Sequence, residues 1–110
     1  MPQHAAELSR LFQALADPTR RAVVERLGQG PAATSELAGA FDMALPSFLQ
    51  HLAVLEKAGI VTSDKEGRVR TYRLTSQPLQ AAEDWMTTQR HLWARRLDQF
   101  DEYVRTMQEE

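Results

Sequence analysis

The stretch from Ala44 to Val61, ALPSFLQHLAVLEKAGIV, decides the fold of this 110-residue chain. At about 100° per residue along a helix, Phe48, Leu52 and Leu55 share one face and predict a buried side. The opposite face carries Pro46, Gln50, Ala53 and Lys57. The stretch therefore predicts one amphipathic helix from about residue 45 to residue 58, packed on its apolar side and free to contact a partner on its polar side.

A strand pattern follows this helix directly. Gly59 suits the left-handed position that ends a helix, and Ile60 can fold back as its apolar contact. Residues 60–63 and 69–74 then flank a charged turn at 64–68, and the second segment alternates as a strand does. The pattern predicts a β-hairpin whose tip is basic, with cations that could reach phosphates beside a groove.

Upstream, the sequence predicts three helices. The first covers about Gln3 to Leu15, and the second begins at Pro18 behind the capping residue Asp17. A third, short helix starts near Thr34 as its cap, and a tight turn at 42–44 leads into the fourth. A short helix, a tight turn, a second helix and a basic hairpin therefore occur in order.

The last predicted helix is long, from about Pro78 to Met107. At 1.5 Å per residue it would reach roughly 45 Å, more than so small a domain needs, so part of it is expected to pack on another chain. An apolar stripe along this helix, which includes the aromatic residues Trp85, Trp93 and Phe100, is interpreted as a dimer core. A pocket for an unidentified apolar small-molecule effector is the alternative.

Composition excludes several function classes. With no cysteine, the chain can form neither disulfides nor thiolate metal sites. No apolar run is long enough to span a bilayer and no signal peptide is evident, so we expect a cytoplasmic protein without a membrane partner. The three histidines lie in different elements, no nucleophile–base set can be assembled, and we expect no enzyme and no cofactor.

The charge distribution is uneven. The net charge is −2, which by itself argues against a nucleic-acid partner. Between residues 18 and 75, however, eight basic residues stand against six acidic ones, whereas residues 76–110 hold four basic and seven acidic residues. The middle of the chain is mildly basic and the tail is acidic.

Three segments within residues 8–75 carry a resemblance to a known family: ALADPTRR at 14–21, SELA at 35–38 and PSFLQHLAVLEKAGIV at 46–61. They resemble the ArsR-type winged helix-turn-helix regulators, and the run from Gln50 to Val61 is similar to that family's H-L-x-x-L-x-x-A-G-L-V segment. The resemblance implies a homodimer that binds double-stranded operator DNA and represses transcription. It also implies that the fourth helix enters the major groove, that the hairpin is the wing, and that the first and last helices form the dimer interface.

The chain departs from the family pattern at its metal sites. The third helix reads SELAGA where metal-sensing members carry C-x-C, and the last helix lacks the expected set of Asp and His ligands. The sequence therefore predicts a metal-independent branch with no metal ligands. Before the proline of the fourth helix, Ala44 and Leu45 replace the common Ser-Gln, and Gln50 replaces a basic residue, which favours apolar contact with thymine methyl groups.

These observations predict a mainly α fold with a small β-hairpin, a single winged-helix domain over 1–110. Residues 16–75 would form the DNA-binding core, and 1–15 and 78–107 the dimerisation helices. The predicted DNA-binding residues are Pro46, Ser47, Gln50, His51, Lys57, Lys65, Arg68 and Arg70. The predicted dimer-interface residues are Leu8, Leu11, Phe12, Trp85, Leu92, Trp93, Phe100 and Val104. A winged-helix module for protein interaction or dimerisation, without specific DNA binding, is the alternative function.

Overall fold

The computed structural model describes residues 4–109, and within them the chain forms five helices and three strands. The elements are α1 (His4–Leu15), α2 (Pro18–Leu27), β1 (Ala32–Ala33), α3 (Thr34–Ala38), α4 (Leu45–Lys57), β2 (Val61–Glu66), β3 (Val69–Leu74) and α5 (Ser76–Glu109). The mainly helical class with a small sheet is confirmed. The predicted helix start at Gln3 lies outside the described residues. The chain divides between Gln80 and Ala81 into two compact units.

In the first unit, β2 and β3 form the predicted hairpin. They pair antiparallel from Val61 opposite Leu74 to Glu66 opposite Val69, so only Gly67 and Arg68 remain as the turn. The predicted five-residue turn was therefore too long, because both strands continue pairing to the tip. Gly67 has φ of 63°, which matches the glycine position of a two-residue hairpin turn.

The sheet has a third strand that the sequence did not predict. β1 pairs antiparallel with β3, with Ala32 opposite Tyr72 and Ala33 opposite Thr71, giving the order β1-β3-β2. Two alanines carry no alternation and no strand propensity. Their extended conformation depends on pairing with β3, nearly 40 residues further along the chain.

The predicted cap of α2 is confirmed, whereas the predicted cap of α3 is wrong. Asp17 Oδ2 accepts a hydrogen bond of 3.0 Å from the Arg20 backbone N–H. At α3 the capping position belongs to Ala33, whose N–H donates to the Glu36 carboxylate at 3.3 Å. Thr34 instead donates from Oγ1 to the Arg70 carbonyl at 3.2 Å, because β1 brings it beside β3.

α4 is held as the sequence predicts. Phe48, Leu52 and Leu55 are at most 1% exposed and join a core with residues of α1, α2, α3 and the sheet. At the end of α4, Gly59 has φ of 77°, and the Ile60 N–H donates to the Leu55 carbonyl at 3.0 Å. This is the predicted left-handed cap with its buried apolar contact.

α5 has 34 residues and so extends about 51 Å at 1.5 Å per residue. It begins at Ser76, two residues before the predicted start at Pro78, because proline is tolerated in the first helical turn. From Ala81 onward it forms the second unit, in which Ala82 is the buried residue among the described positions.

Candidate nucleic-acid interface

The exposed residues at the start of α4 are uncharged. Pro46, Ser47, Gln50 and Lys57, all predicted DNA-binding residues, are exposed. The first turn has no acidic residue, and Glu56, near the far end, is the single carboxylate in the helix. Because a helix N-terminus carries partial positive charge, this acid-free end suits an anionic partner.

Two exposed leucines of α4 were not among the predicted site residues. Leu45 is 53% exposed and Leu49 is 42% exposed, and one helical turn separates them. Phe48, between them in sequence, is fully buried with its ring centroid 5.3 Å from that of Phe41. Burial of Phe48 orients α4 so that the two leucines remain accessible.

The hairpin concentrates cations at its tip. Lys65 and Arg70 are directly opposite each other across β2 and β3, and Arg68 occupies the turn between the strands. All three side chains are exposed. Like charges at opposed positions of an antiparallel pair repel each other, so an anion placed against them would stabilise the hairpin.

Two further charges of the hairpin are paired with each other, and Arg70 forms a hydrogen bond. Arg73 forms an ion pair with Asp64. Arg70 Nη1 donates to Ser63 Oγ at 2.9 Å, and Ser63 Oγ donates to Glu56 Oε1 at 2.6 Å, which links the hairpin to α4. Within residues 4–109, Lys65 and Arg68 have no ion-pair partner, so their charges are available to a ligand.

Tyr72 is the buried residue of β3. Its side chain is 6% exposed, and burial, with a further contribution from the charge of Glu56, raises the pKa of its phenol above the ordinary value. The hairpin is therefore attached to the core through a neutral phenol on one face, and its cations lie at the tip.

His51, another predicted DNA-binding residue, is only partly exposed because it packs against the start of α2. Its Nδ1 lies 3.1 Å from Arg20 Nη1 and 3.8 Å from Asp17 Oδ2. A guanidinium can only donate hydrogen bonds, so Nδ1 accepts this bond and Nε2 carries the ring proton. No local pattern predicts this contact, since Arg20 and His51 are 31 positions apart.

Arg20 is fixed by further bonds. Nε donates to the Ala14 carbonyl at 2.7 Å, and Nη2 donates to the Gln13 carbonyl at 3.2 Å. The Arg20 backbone N–H also holds the pKa of the Asp17 carboxyl below its usual value. Arg20 therefore joins the end of α1, the start of α2 and His51 of α4 in one arrangement.

The predicted dimer-interface residues differ in burial. On α5, Trp85, Leu92, Trp93 and Phe100 are 41–68% exposed, and Val104 is half-buried. On α1, Phe12 is exposed and Leu8 is half-buried. Leu11 is an exception, because at 1% exposure its side chain belongs to the core of its own unit rather than to an accessible face.

A groove of about 420 Å³ lies in the first unit. Its lining includes the cations Arg10, Arg20 and Lys57 and the apolar residues Ala14, Val54 and Ala58. Among residues 4–109, no three His, Cys, Asp or Glu side chains cluster in a way that could hold a metal ion. No described helix combines the length and apolar character required to cross a membrane.

Comparison with known proteins places these features in a family. Residues 15–64 match the family described as a helix-turn-helix domain. The chain is 47% identical over 72 residues to the HTH-type transcriptional regulator Rv2034 of Mycobacterium tuberculosis, covering 66% of this chain and 67% of the relative. It is 30% identical over 79 residues to the transcriptional repressor SdpR of Bacillus subtilis, covering 72% and 88%.

Solved structures agree with this comparison. The crystal structure of the ArsR family transcriptional regulator RHA00566 superposes with a TM-score of 0.81 at 52% identity, over 86% of this chain and 97% of the other. The homodimeric winged helix-turn-helix DNA-binding domain Mb0332 from Mycobacterium bovis gives a TM-score of 0.63 at 26% identity, over 84% and 91%. The exposed face of α4 and the basic hairpin thus occur in a chain whose relatives are transcriptional regulators.

Proposed function

This chain belongs to the ArsR family of winged helix-turn-helix transcriptional regulators, and we propose that it represses transcription. In this proposal it acts as a homodimer that binds an inverted-repeat operator. In this proposal α4 enters the major groove of double-stranded DNA, and the β2–β3 hairpin lies beside it as the wing. The family is one of transcriptional regulators rather than a class of enzymes.

The observation that carries the proposal is the charge pattern of the first unit. The chain as a whole is acidic, yet the first turn of α4 has no acid and the hairpin tip holds three exposed cations against one exposed carboxylate, Glu66. Phosphate contacts from such cations supply most of the affinity of DNA-binding proteins, and groups on an inserted helix supply specificity.

We assign the predicted residues to two roles. Ser47 and Gln50 face the base edges, where glutamine can pair with adenine and serine with several bases. Pro46 contacts the groove at the start of α4. The residues assigned to phosphates are His51, Lys57, Lys65, Arg68 and Arg70.

His51 has a specific part in this scheme. Since Arg20 donates to Nδ1, the proton on Nε2 is directed away from Arg20 and can be donated to a phosphate oxygen. Arg20 acts as a positioning residue, because it is itself held by two α1 carbonyls. The prediction of His51 as a phosphate ligand therefore gains a physical basis.

The exposed stripe of α5 supports the homodimer. Trp93, Leu97, Phe100, Val104 and Met107 follow one another at spacings of four, three, four and three residues, which places them on one stripe. Four of the five are 58–68% exposed. A contiguous apolar stripe of this size on a single chain indicates a protein contact, and Mb0332 is a homodimer of the same fold.

The operator is tested by footprinting on the DNA upstream of the protein's own gene. We expect protection of two inverted half-sites about 34 Å apart, about one helical turn, because a two-fold dimer presents two copies of α4. Protection of no sequence at low salt, also after selection from random duplexes, would contradict the proposal and favour the protein-interaction alternative.

The dimer is tested by Trp93→Ala in sedimentation equilibrium. Truncating a large aromatic side chain in a packed interface costs about 3–5 kcal/mol, so the variant should dissociate at concentrations where the wild type is dimeric. Arg95→Ala, on the same exposed helix but off the stripe, is the matched control and should leave the dimer intact. A wild type that sediments as a monomer at all concentrations would refute the dimer.

We further propose that repression does not require a metal. The thiolate site of metal-sensing relatives cannot form in a chain without cysteine. Operator affinity should therefore be the same in excess chelator and in micromolar Zn²⁺. A reproducible change of affinity with Zn²⁺ would contradict this part of the proposal.

A further inference from the structure

Leu45 and Leu49 form a small apolar patch on the surface of α4. They are separated by four residues and so lie one above the other, with Cβ atoms about 5–6 Å apart. They are 53% and 42% exposed although the neighbouring Phe48 and Leu52 are buried. The core thus does not use these two side chains, and the patch is available to a partner of the helix.

The surroundings of the patch indicate the charge of that partner. The other exposed residues at the start of α4, Pro46, Ser47 and Gln50, are uncharged, and the first turn of α4 has no acid. Glu56, the carboxylate of this helix, accepts a hydrogen bond from Ser63, which in turn accepts one from Arg70. With Lys65 and Arg68 exposed on the hairpin of the same unit, the electrostatics favour a polyanion.

A polyanion that also offers apolar groups to an inserted helix is duplex DNA. The apolar group in the major groove is the 5-methyl of thymine, which side-chain carbon atoms can contact. The spacing is compatible, because base pairs rise about 3.4 Å and the leucines lie about 5–6 Å apart. Two methyl groups one or two base pairs apart would be within reach of the pair.

We infer that Leu45 and Leu49 are specificity-determining residues that read thymine methyl groups in each operator half-site. The inference rests on the proposed function, in which α4 enters the major groove. It adds a chemical property of the operator, namely thymines at two nearby positions facing the first two turns of α4. Recognition there depends on methyl contact rather than on hydrogen bonding.

The test removes only the methyl groups. In the operator defined by footprinting, each thymine is replaced singly by deoxyuridine, which keeps base pairing and loses the 5-methyl. Wild-type affinity should fall about three- to fourfold at each contacted position, the effect of withdrawing one methyl group from apolar contact. At thymines outside the contacted positions, affinity should stay unchanged.

Variants assign the effect to residues. Leu45→Ala and Leu49→Ala should bind the unmodified operator more weakly, and each should lose sensitivity to deoxyuridine at one position. Val54→Ala is the matched control, since Val54 is also an exposed apolar residue of α4, at 40%, but lies nine residues from Leu45 and so about 180° around the helix. It should keep the wild-type pattern.

Failure of the inference can be distinguished from failure of the proposed function. Specific operator binding by the wild type with no deoxyuridine effect at any position would overturn the inference while leaving the proposed function intact. Full deoxyuridine sensitivity in both leucine variants would also overturn it. Absence of specific binding to any duplex would instead refute the proposed function and the inference together.

Discussion

Arg68→Ala offers a quantitative test of how this protein binds DNA. On the proposed DNA surface each protomer presents four cations, Lys57, Lys65, Arg68 and Arg70, so that a dimer presents eight. Each neutralised phosphate adds about −0.9 to the slope of log affinity against log salt, which predicts about −7 for the wild type. The variant removes one cation from each protomer and should reduce the slope to about −5.5.

The assay is fluorescence anisotropy with a labelled operator between 50 and 200 mM salt. Over this fourfold range the wild type should lose about four orders of magnitude in affinity, and Arg68→Ala about three. Because Arg68 occupies the hairpin turn and is exposed, its removal should leave the thermal unfolding midpoint unchanged. A slope change can then be assigned to DNA contact rather than to stability.

Arg73→Ala is the matched control. It changes the net charge by the same amount and lies on the same hairpin, but Arg73 is ion-paired with Asp64. If contact with phosphate determines the slope, Arg73→Ala should leave it near the wild-type value. Equal slopes for Arg68→Ala and the wild type, or equal reductions in both variants, would refute the assignment of the hairpin tip to phosphates.

Three further predictions concern stability. Leu52→Ala should lower the free energy of unfolding by about 2–5 kcal/mol in urea titration, because Leu52 is buried. Val54 is exposed, so Val54→Ala should cost under about 0.5 kcal/mol, and similar losses for the two variants would contradict the core assignment. Gly59→Ala should cost about 1–2 kcal/mol because its φ of 77° is left-handed, and an unchanged midpoint would show that the cap is not strained. The pKa of Tyr72 is raised in the folded protein, so above pH 10.0 this tyrosine ionises first in the unfolded chain, and the free energy of unfolding should fall as pH rises. Tyr72→Phe should flatten this dependence, and identical pH profiles for the variant and the wild type would contradict it.

The candidate site could be predicted where exposure follows from helical periodicity. Ser47 and Gln50 were assigned to the accessible face of α4 because Phe48 and Leu52 define the buried one, and both are exposed. Leu45 replaces a polar residue of the family pattern, which favours contact with thymine methyl groups, but neither Leu45 nor Leu49 is among the predicted site residues, since an apolar residue on a helix is expected to be buried. The geometry of α4 in its unit shows instead that they are accessible.

Side-chain pairing could not be predicted in the same way. Lys65 and Arg73 both look like free cations in the sequence, but only Arg73 has a carboxylate partner, Asp64. That difference depends on strand register, which places Lys65 opposite Arg70, and Arg73 opposite Thr62 and diagonal to Asp64. Likewise the bond from Arg20 to His51 requires α2 and α4 to be packed together first.

By itself, the sequence determined the helices, their main caps and the hairpin, because these depend on interactions within a few residues. Asp17, Gly59 and the apolar face of α4 act locally, and their predicted roles are confirmed. The tertiary structure alone decided β1, the extended pairing of the hairpin and the charges left free at its tip. β1 pairs with a segment distant in sequence, and the pairing and charges of the hairpin tip depend on the register between two strands, which the pattern within one strand does not specify.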